Sequence, residues 1–129
     1  MLTSSFSHVH PPTPRQFYLN RVAYKAWISG HQIETSPDWD SSQPLPLTFT
    51  RLEQIARQEL ARLAIDDVSW SIDGFEFRSI PAGQGLKWYF VVEMKPFWGS
   101  GPQGADRDPD SFCVYIDLGG KPGIVAPSK

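Results

Sequence analysis

A chain of 129 residues is long enough to form one domain that buries most of its apolar surface without a metal or a disulfide. The formal net charge of −2 and the pI of about 5.8, with Lys and Arg scattered, argue against nucleic acid, whose binders carry a basic face. The single cysteine, Cys113, excludes an intrachain disulfide, and no run approaches the roughly 20 apolar residues of a membrane helix.

Residues 1–12 are polar and end in Pro11-Pro12, which reads as a flexible arm before a single domain over 13–129. The arm lacks a basic stretch followed by an apolar one, so a cytoplasmic location is expected; an exported chain relieved of its leader would read the same. His8 and His10 alternate within it, fewer than the three or four ligands of a usual zinc site.

Thr13-Pro14-Arg15-Gln16 has the form of a capping box with Pro at the first helical position, and Gly30 suits a stop, so a first helix is expected between them. Its apolar residues spread over a wide arc. Phe17, Tyr24 and Ile28 lie on one side and Leu19, Val22, Ala23, Ala26 and Trp27 on another. The aromatic and β-branched content leaves a strand open. The segment HQIETSPDWDSSQPLPL then reads as a connecting loop, with Trp39 between Asp38 and Asp40. A Trp there either tucks onto the core or anchors a partner.

Thr50-Arg51-Leu52-Glu53 reads as a second capping box. Leu52, Ile55, Ala56, Leu60 and Leu63 follow at helical spacing, with Arg51, Gln54, Arg57, Gln58 and Arg62 on the solvated face. Glu53 and Arg57 are spaced for a supporting ion pair, and Asp66-Asp67 ends the helix.

From Val68 the period becomes two. Val68, Trp70 and Ile72 share one parity, Phe75 and Phe77 the other, and Asp73-Gly74 between them marks a bulge or a turn. After a turn over 81–85, Leu86, Trp88, Phe90, Val92 and Met94 form the apolar side of a long strand, and Lys87, Tyr89, Val91, Glu93 and Lys95 a half-wet one. A last strand carries Phe112, Val114, Ile116 and Leu118 on one side. The turn Gly119-Gly120-Lys121-Pro122 then leads into a short return. The fold class expected is α+β, with two helices packed on one face of a four-stranded antiparallel sheet.

The pattern IARQELARL, VSWSI, KWYFVVEM and FCVYIDLGGKPGIV resembles the small cystatin-like α+β layouts, PepSY-type domains in particular. The resemblance spans about residues 48 to 125 and leaves out the expected first helix and the long loop. It implies a helix on an antiparallel sheet and a role in binding or inhibition.

Catalytic groups are sparse. His31 is the one candidate general base outside the arm, Cys113 reads as a strand residue, and neither a phosphate loop nor a cysteine pair for zinc is present. Asp106-Arg107-Asp108-Pro109-Asp110 alternates carboxylates as calcium loops do. However, Ser111 stands where an EF-hand requires Gly, Asp117 stands where it uses Glu, and Arg107 brings a positive charge. No metal and no cofactor is therefore expected.

The function expected is non-enzymatic binding of another protein, in the manner of a bacterial toxin-neutralising immunity or inhibitor protein. Its contact residues would be Trp39, Phe97, Trp98, Asp106, Asp108 and Asp110, the acidic ones steering a basic partner. Two alternatives stand beside it. An NTF2-like pocket protein would gather Tyr89, Tyr115 and His31 around a small molecule, and a structural subunit would dimerise through the first helix.

Overall fold

The computed structural model describes residues 9–63, 69–97 and 110–128. Its first elements correct the reading of a helix before Gly30. Strands β1 (Arg15–Leu19) and β2 (Val22–Trp27) pair antiparallel, with Leu19 opposite Val22. The two residues between them, Asn20 and Arg21, carry φ of 50° and 70°. Positive φ at both central positions is the two-residue turn whose twist suits a hairpin. Phe17 and Leu19 are buried while Tyr18 between them is half-buried, so the wide apolar arc is a strand alternation. A dimer through a first helix loses its basis.

Gly30 opens a helix where the sequence suggested a stop. The short α1 (Gly30–Glu34) is capped by Ser29, whose hydroxyl accepts from the Gln32 N–H, and it seats Ile33 in the core. The long helix α2 (Phe49–Arg62) buries Leu52, Ile55, Ala56 and Leu60, as its periodicity requires. The cap, however, is Thr48, whose side chain accepts from the Arg51 N–H at 3.0 Å, two residues before the expected box. Arg57 bonds Glu53 at 2.8 Å, the expected pair.

Strands β3 (Trp70–Ala82) and β4 (Gly85–Pro96) form a long hairpin around Gly83 and Gln84. Gly83 sits at φ +61°, where a side chain would be strained. Asp73-Gly74 is a bulge within β3, since the register shifts between Ile72 and Gly74 and the strand continues. Strand β5 (Phe112–Asp117) pairs with β4 and is buried at every position. Strand β6 (Ile124–Pro127) does not return along β5; it crosses to pair with β2.

The architecture is therefore two three-stranded antiparallel sheets, ordered β1-β2-β6 and β3-β4-β5. This overturns the expected cystatin-like arrangement of two helices on one face of a four-stranded sheet. The two strands beyond the expected four come from Arg15–Trp27, where a hairpin stands in place of a helix.

Contacts around the larger sheet sort by parity. Phe75, Phe77, Trp88, Phe90, Val92, Val114 and Ile116 share one face, and there Phe49 of α2 stacks on Phe75. Glu76, Tyr89, Glu93, Cys113, Tyr115 and Asp117 share the other. On that face Arg15 of β1 reaches Glu76 and Glu93, and Gln32 of α1 donates to Asp117 at 3.1 Å. Covering on both faces is what leaves β5 and the middle of β4 without solvent.

The turn after β5 is tied by Asp117, whose Oδ1 accepts from the N–H groups of Gly119 and Lys121 at 2.9 and 3.0 Å. Gly123 then passes so close to β2 that an added Cβ would lie 2.3 Å from the Trp27 carbonyl oxygen. Only glycine lets the chain through at that point. Among the described residues no helix is long and apolar enough to cross a membrane.

Candidate interaction surfaces

The sheet face under α2 runs out of helix toward the β3–β4 turn, and aromatic rings fill the remainder. Phe77 stacks on Trp88 and on Phe90, with centroids 4.8 and 4.7 Å apart. Trp39, from the loop before α2, meets Phe77 and Trp88 edge-on at 5.0 and 5.1 Å. Its indole Nε1–H donates to the Pro44 carbonyl at 2.8 Å, which ties the loop to itself. Edge-to-face and offset stacking are the arrangements the ring quadrupole favours.

Beside this cluster the surface stays apolar. Phe49 is 61 % exposed although its ring lies nearly parallel to Phe75, with centroids 4.7 Å apart. Leu45 is 47 % exposed, and Leu45, Leu47, Thr48 and Phe49 line a shallow depression of about 260 Å³. The sequence reading missed Phe49. Its signal was a Phe immediately after the Thr48 cap, where α2 has not yet turned its apolar stripe to the core.

Of the residues singled out for protein binding, the three described ones do not converge. Trp39 is half-buried against Trp88, near the start of β4. Phe97 follows the end of β4, 69 % exposed, its N–H donating to the Ser69 carbonyl at 2.8 Å. The strand between Trp88 and Phe97 spans about 30 Å at its usual rise. Asp110 is half-buried and accepts from the Asn20 N–H at 3.1 Å, at the tip of the β1–β2 hairpin. Trp98, Asp106 and Asp108 lie outside the described residues.

The opposite face of the larger sheet carries a polar cluster. Arg15 bonds Glu76 through two nitrogens, at 2.6 and 3.0 Å, and Glu93 at 2.8 Å, while its carbon Cζ stands 5.9 Å from the Tyr115 ring centroid. Arg78 adds a 2.7 Å bond to Glu76. The hydrogen bond from Arg15 is the main reason the Glu76 carboxyl is held down at about 2. Burial pushes the Cys113 thiol up to about 12, so it stays protonated at neutral pH and is a poor nucleophile. Arg15, Asp73, Glu93 and Cys113 also border a recess of about 140 Å³ between the sheets.

Tyr89 and Tyr115 do meet, with ring centroids 5.7 Å apart, and both are buried. The Tyr115 hydroxyl donates to the Thr13 carbonyl at 2.8 Å, and burial raises both phenols. His31 is exposed on α1, and none of the three lines either of the two recesses above. Among the described residues no three His, Cys, Asp or Glu side chains gather as metal ligands would. Compared with known proteins, the chain matches no family model, no curated protein and no solved structure.

Proposed function

We propose that this is a non-enzymatic binding protein whose partner is another protein, engaged through the apolar surface at the start of α2. The observation that carries the reading is Phe49: a large ring, mostly exposed, pre-stacked on Phe75 and flanked by Leu45 around a shallow depression. A ring already held by a neighbour loses little freedom on binding, and exposed aromatic anchors dominate interface energetics. Contiguous exposed apolar surface on a small domain marks a contact site. Trp39 borders this surface, so it keeps its place among the contact residues. The acidic stretch at Asp106, Asp108 and Asp110 supports a basic partner by steering its approach. A toxin-neutralising or inhibitor role suits this size and charge.

The test is capture from the source cell with the tagged chain, read by mass spectrometry, beside Phe49→Ser and a Trp98→Ala/Asp106→Ala variant. Loss of one specific protein with Phe49→Ser supports the α2 surface. Loss only with the second variant moves the site to the loop. A partner retained by both sinks both assignments.

A further inference from the structure

The β3-β4-β5 sheet has two edges, and the chain treats them differently. On the β5 side, the Ser111 N–H donates to the Tyr18 carbonyl at 3.0 Å, Gly123 to Tyr115 at 2.7 Å and Asp117 to Lys121 at 2.9 Å. Strand β1 and the segment after the turn thus cover that edge. On the β3 side, Arg57 reaches the Trp70 carbonyl at 3.1 Å, at the strand's first residue. From Ile72 to Ala82, no described residue outside β4 hydrogen-bonds the β3 backbone. The two ends of this open edge are blunted, one by the bulge at Asp73 and the other by Pro81, which has no N–H. Between them Phe75 to Ile80 form a regular, unpaired edge.

We propose that a second copy of this chain pairs antiparallel with that edge, about a two-fold axis at Phe77, and joins the β3-β4-β5 sheets of the two copies into one of six strands. The side chains select the register. A two-fold axis perpendicular to the sheet keeps like faces together, so only residues of the same face come opposite one another. Centred on Phe77, Glu76 stands opposite Arg78 of the second copy, twice by symmetry. Within one chain Glu76 and Arg78 are already bonded at 2.7 Å. Four charges would then alternate in sign around a square. Centring the pair on Glu76 or on Arg78 instead sets like charges opposite one another, which is destabilising. The Arg78 side chain is 59 % exposed and can reach across. On the other face, Phe77 meets its own copy beside the Trp39 and Trp88 rings, extending the aromatic layer.

This pairing goes beyond the binding reading; Trp39 borders both surfaces, but the side chains that test them, Phe49 for binding and Arg78 for pairing, are distinct, so the two fail separately. Sedimentation velocity of the full chain over a wide concentration range is expected to show a monomer–dimer equilibrium. Arg78→Glu places two carboxylates opposite each other and is expected to weaken the dimer about tenfold or more, while Arg78→Lys keeps it. Phe49→Ser is expected to leave the dimer intact. Circular dichroism and melting of each variant establish that it is folded. Hydrogen exchange on the unaltered chain supplies a readout free of substitution: alternate amides from Phe75 to Ile80 gain protection as concentration rises. A chain that stays monomeric throughout overturns the proposal. So does a dimer indifferent to Arg78→Glu, or one whose β3 amides exchange alike at both ends of the range.

Discussion

Arg15 on β1 and Glu76 on β3 close a two-point ion pair between the two sheets, Nη2 to Oε1 at 2.6 Å and Nη1 to Oε2 at 3.0 Å. The planar guanidinium matches the carboxylate at both oxygens, and its Nη1 also serves Glu93. This one side chain therefore couples strands that share no ladder.

That pair makes stability depend on acid. The Glu76 carboxyl sits at about 2 when folded, against 4.5 for the free group. The ionised form is favoured in the folded state, so the gain is complete above about pH 4.5 and is lost as pH falls toward 2. Glu76→Gln is expected to cost about 1–2 kcal/mol at neutral pH, given that both partners are partly exposed. It should also flatten the acid limb of a plot of melting temperature against pH. A variant that loses stability below pH 4.5 as steeply as the native chain would assign the effect to another carboxylate.

Cys113 is expected to be silent to thiol reagents in the folded protein. Burial holds its thiol at about 12, and it is 5 % exposed. Titration with Ellman's reagent should find no rapidly reacting thiol under native conditions and one per chain in denaturant. Fast native labelling would show that β5 is more accessible than its packing implies.

Arg21 carries φ of +70°, a conformation that costs any residue with a Cβ. Arg21→Gly turns Asn20-Arg21 into Asn-Gly, the preferred pair for this hairpin turn. The substitution is expected to stabilise by about 0.5–1 kcal/mol, seen as a rise in melting temperature. A fall would mean that the guanidinium makes a compensating contact.

Thr48→Ala should cost about 1 kcal/mol through loss of the bond to the Arg51 N–H, whereas Thr50→Ala, inside the first turn, should cost clearly less. Paired denaturant melts decide it, and equal costs would mean that the helix frays back to Thr50.

How much could be read in advance depended on how strongly each segment's period competes with other signals. The stripe of Leu52, Ile55, Ala56 and Leu60 is long and clean, and α2 follows it. Alternation from Leu86 to Met94 and from Phe112 to Ile116 likewise matches β4 and β5. The first hairpin was hidden twice over. Thr13-Pro14-Arg15-Gln16 imitates a helix start, and the turn at Asn20-Arg21 lacks the glycine that usually betrays one. Asp73-Gly74 was legible as a break, but bulge and turn differ only in whether the strand keeps its partner, and β4 decides that. The surface at Phe49 depends on where α2 begins relative to Phe75, a tertiary placement that no local pattern carries.

The crossing of β6 to the small sheet bears on the order in which the molecule is assembled. Strand β2 is the middle strand there, and its two neighbours reach it by very different routes. Across one side the chain turns in two residues to β1; across the other Trp27 waits for Ile124, nearly the whole chain away. A hairpin forms in microseconds, whereas pairing over such a separation is slow and follows the closure of everything between. On the ribosome, β2 would emerge with one edge satisfied and the other bare until Ile124–Pro127 had been added. Over that interval a nascent chain must keep an open strand from the wrong neighbour, and Lys25 and the β1 turn charge at Arg21 are the side chains placed to discourage one.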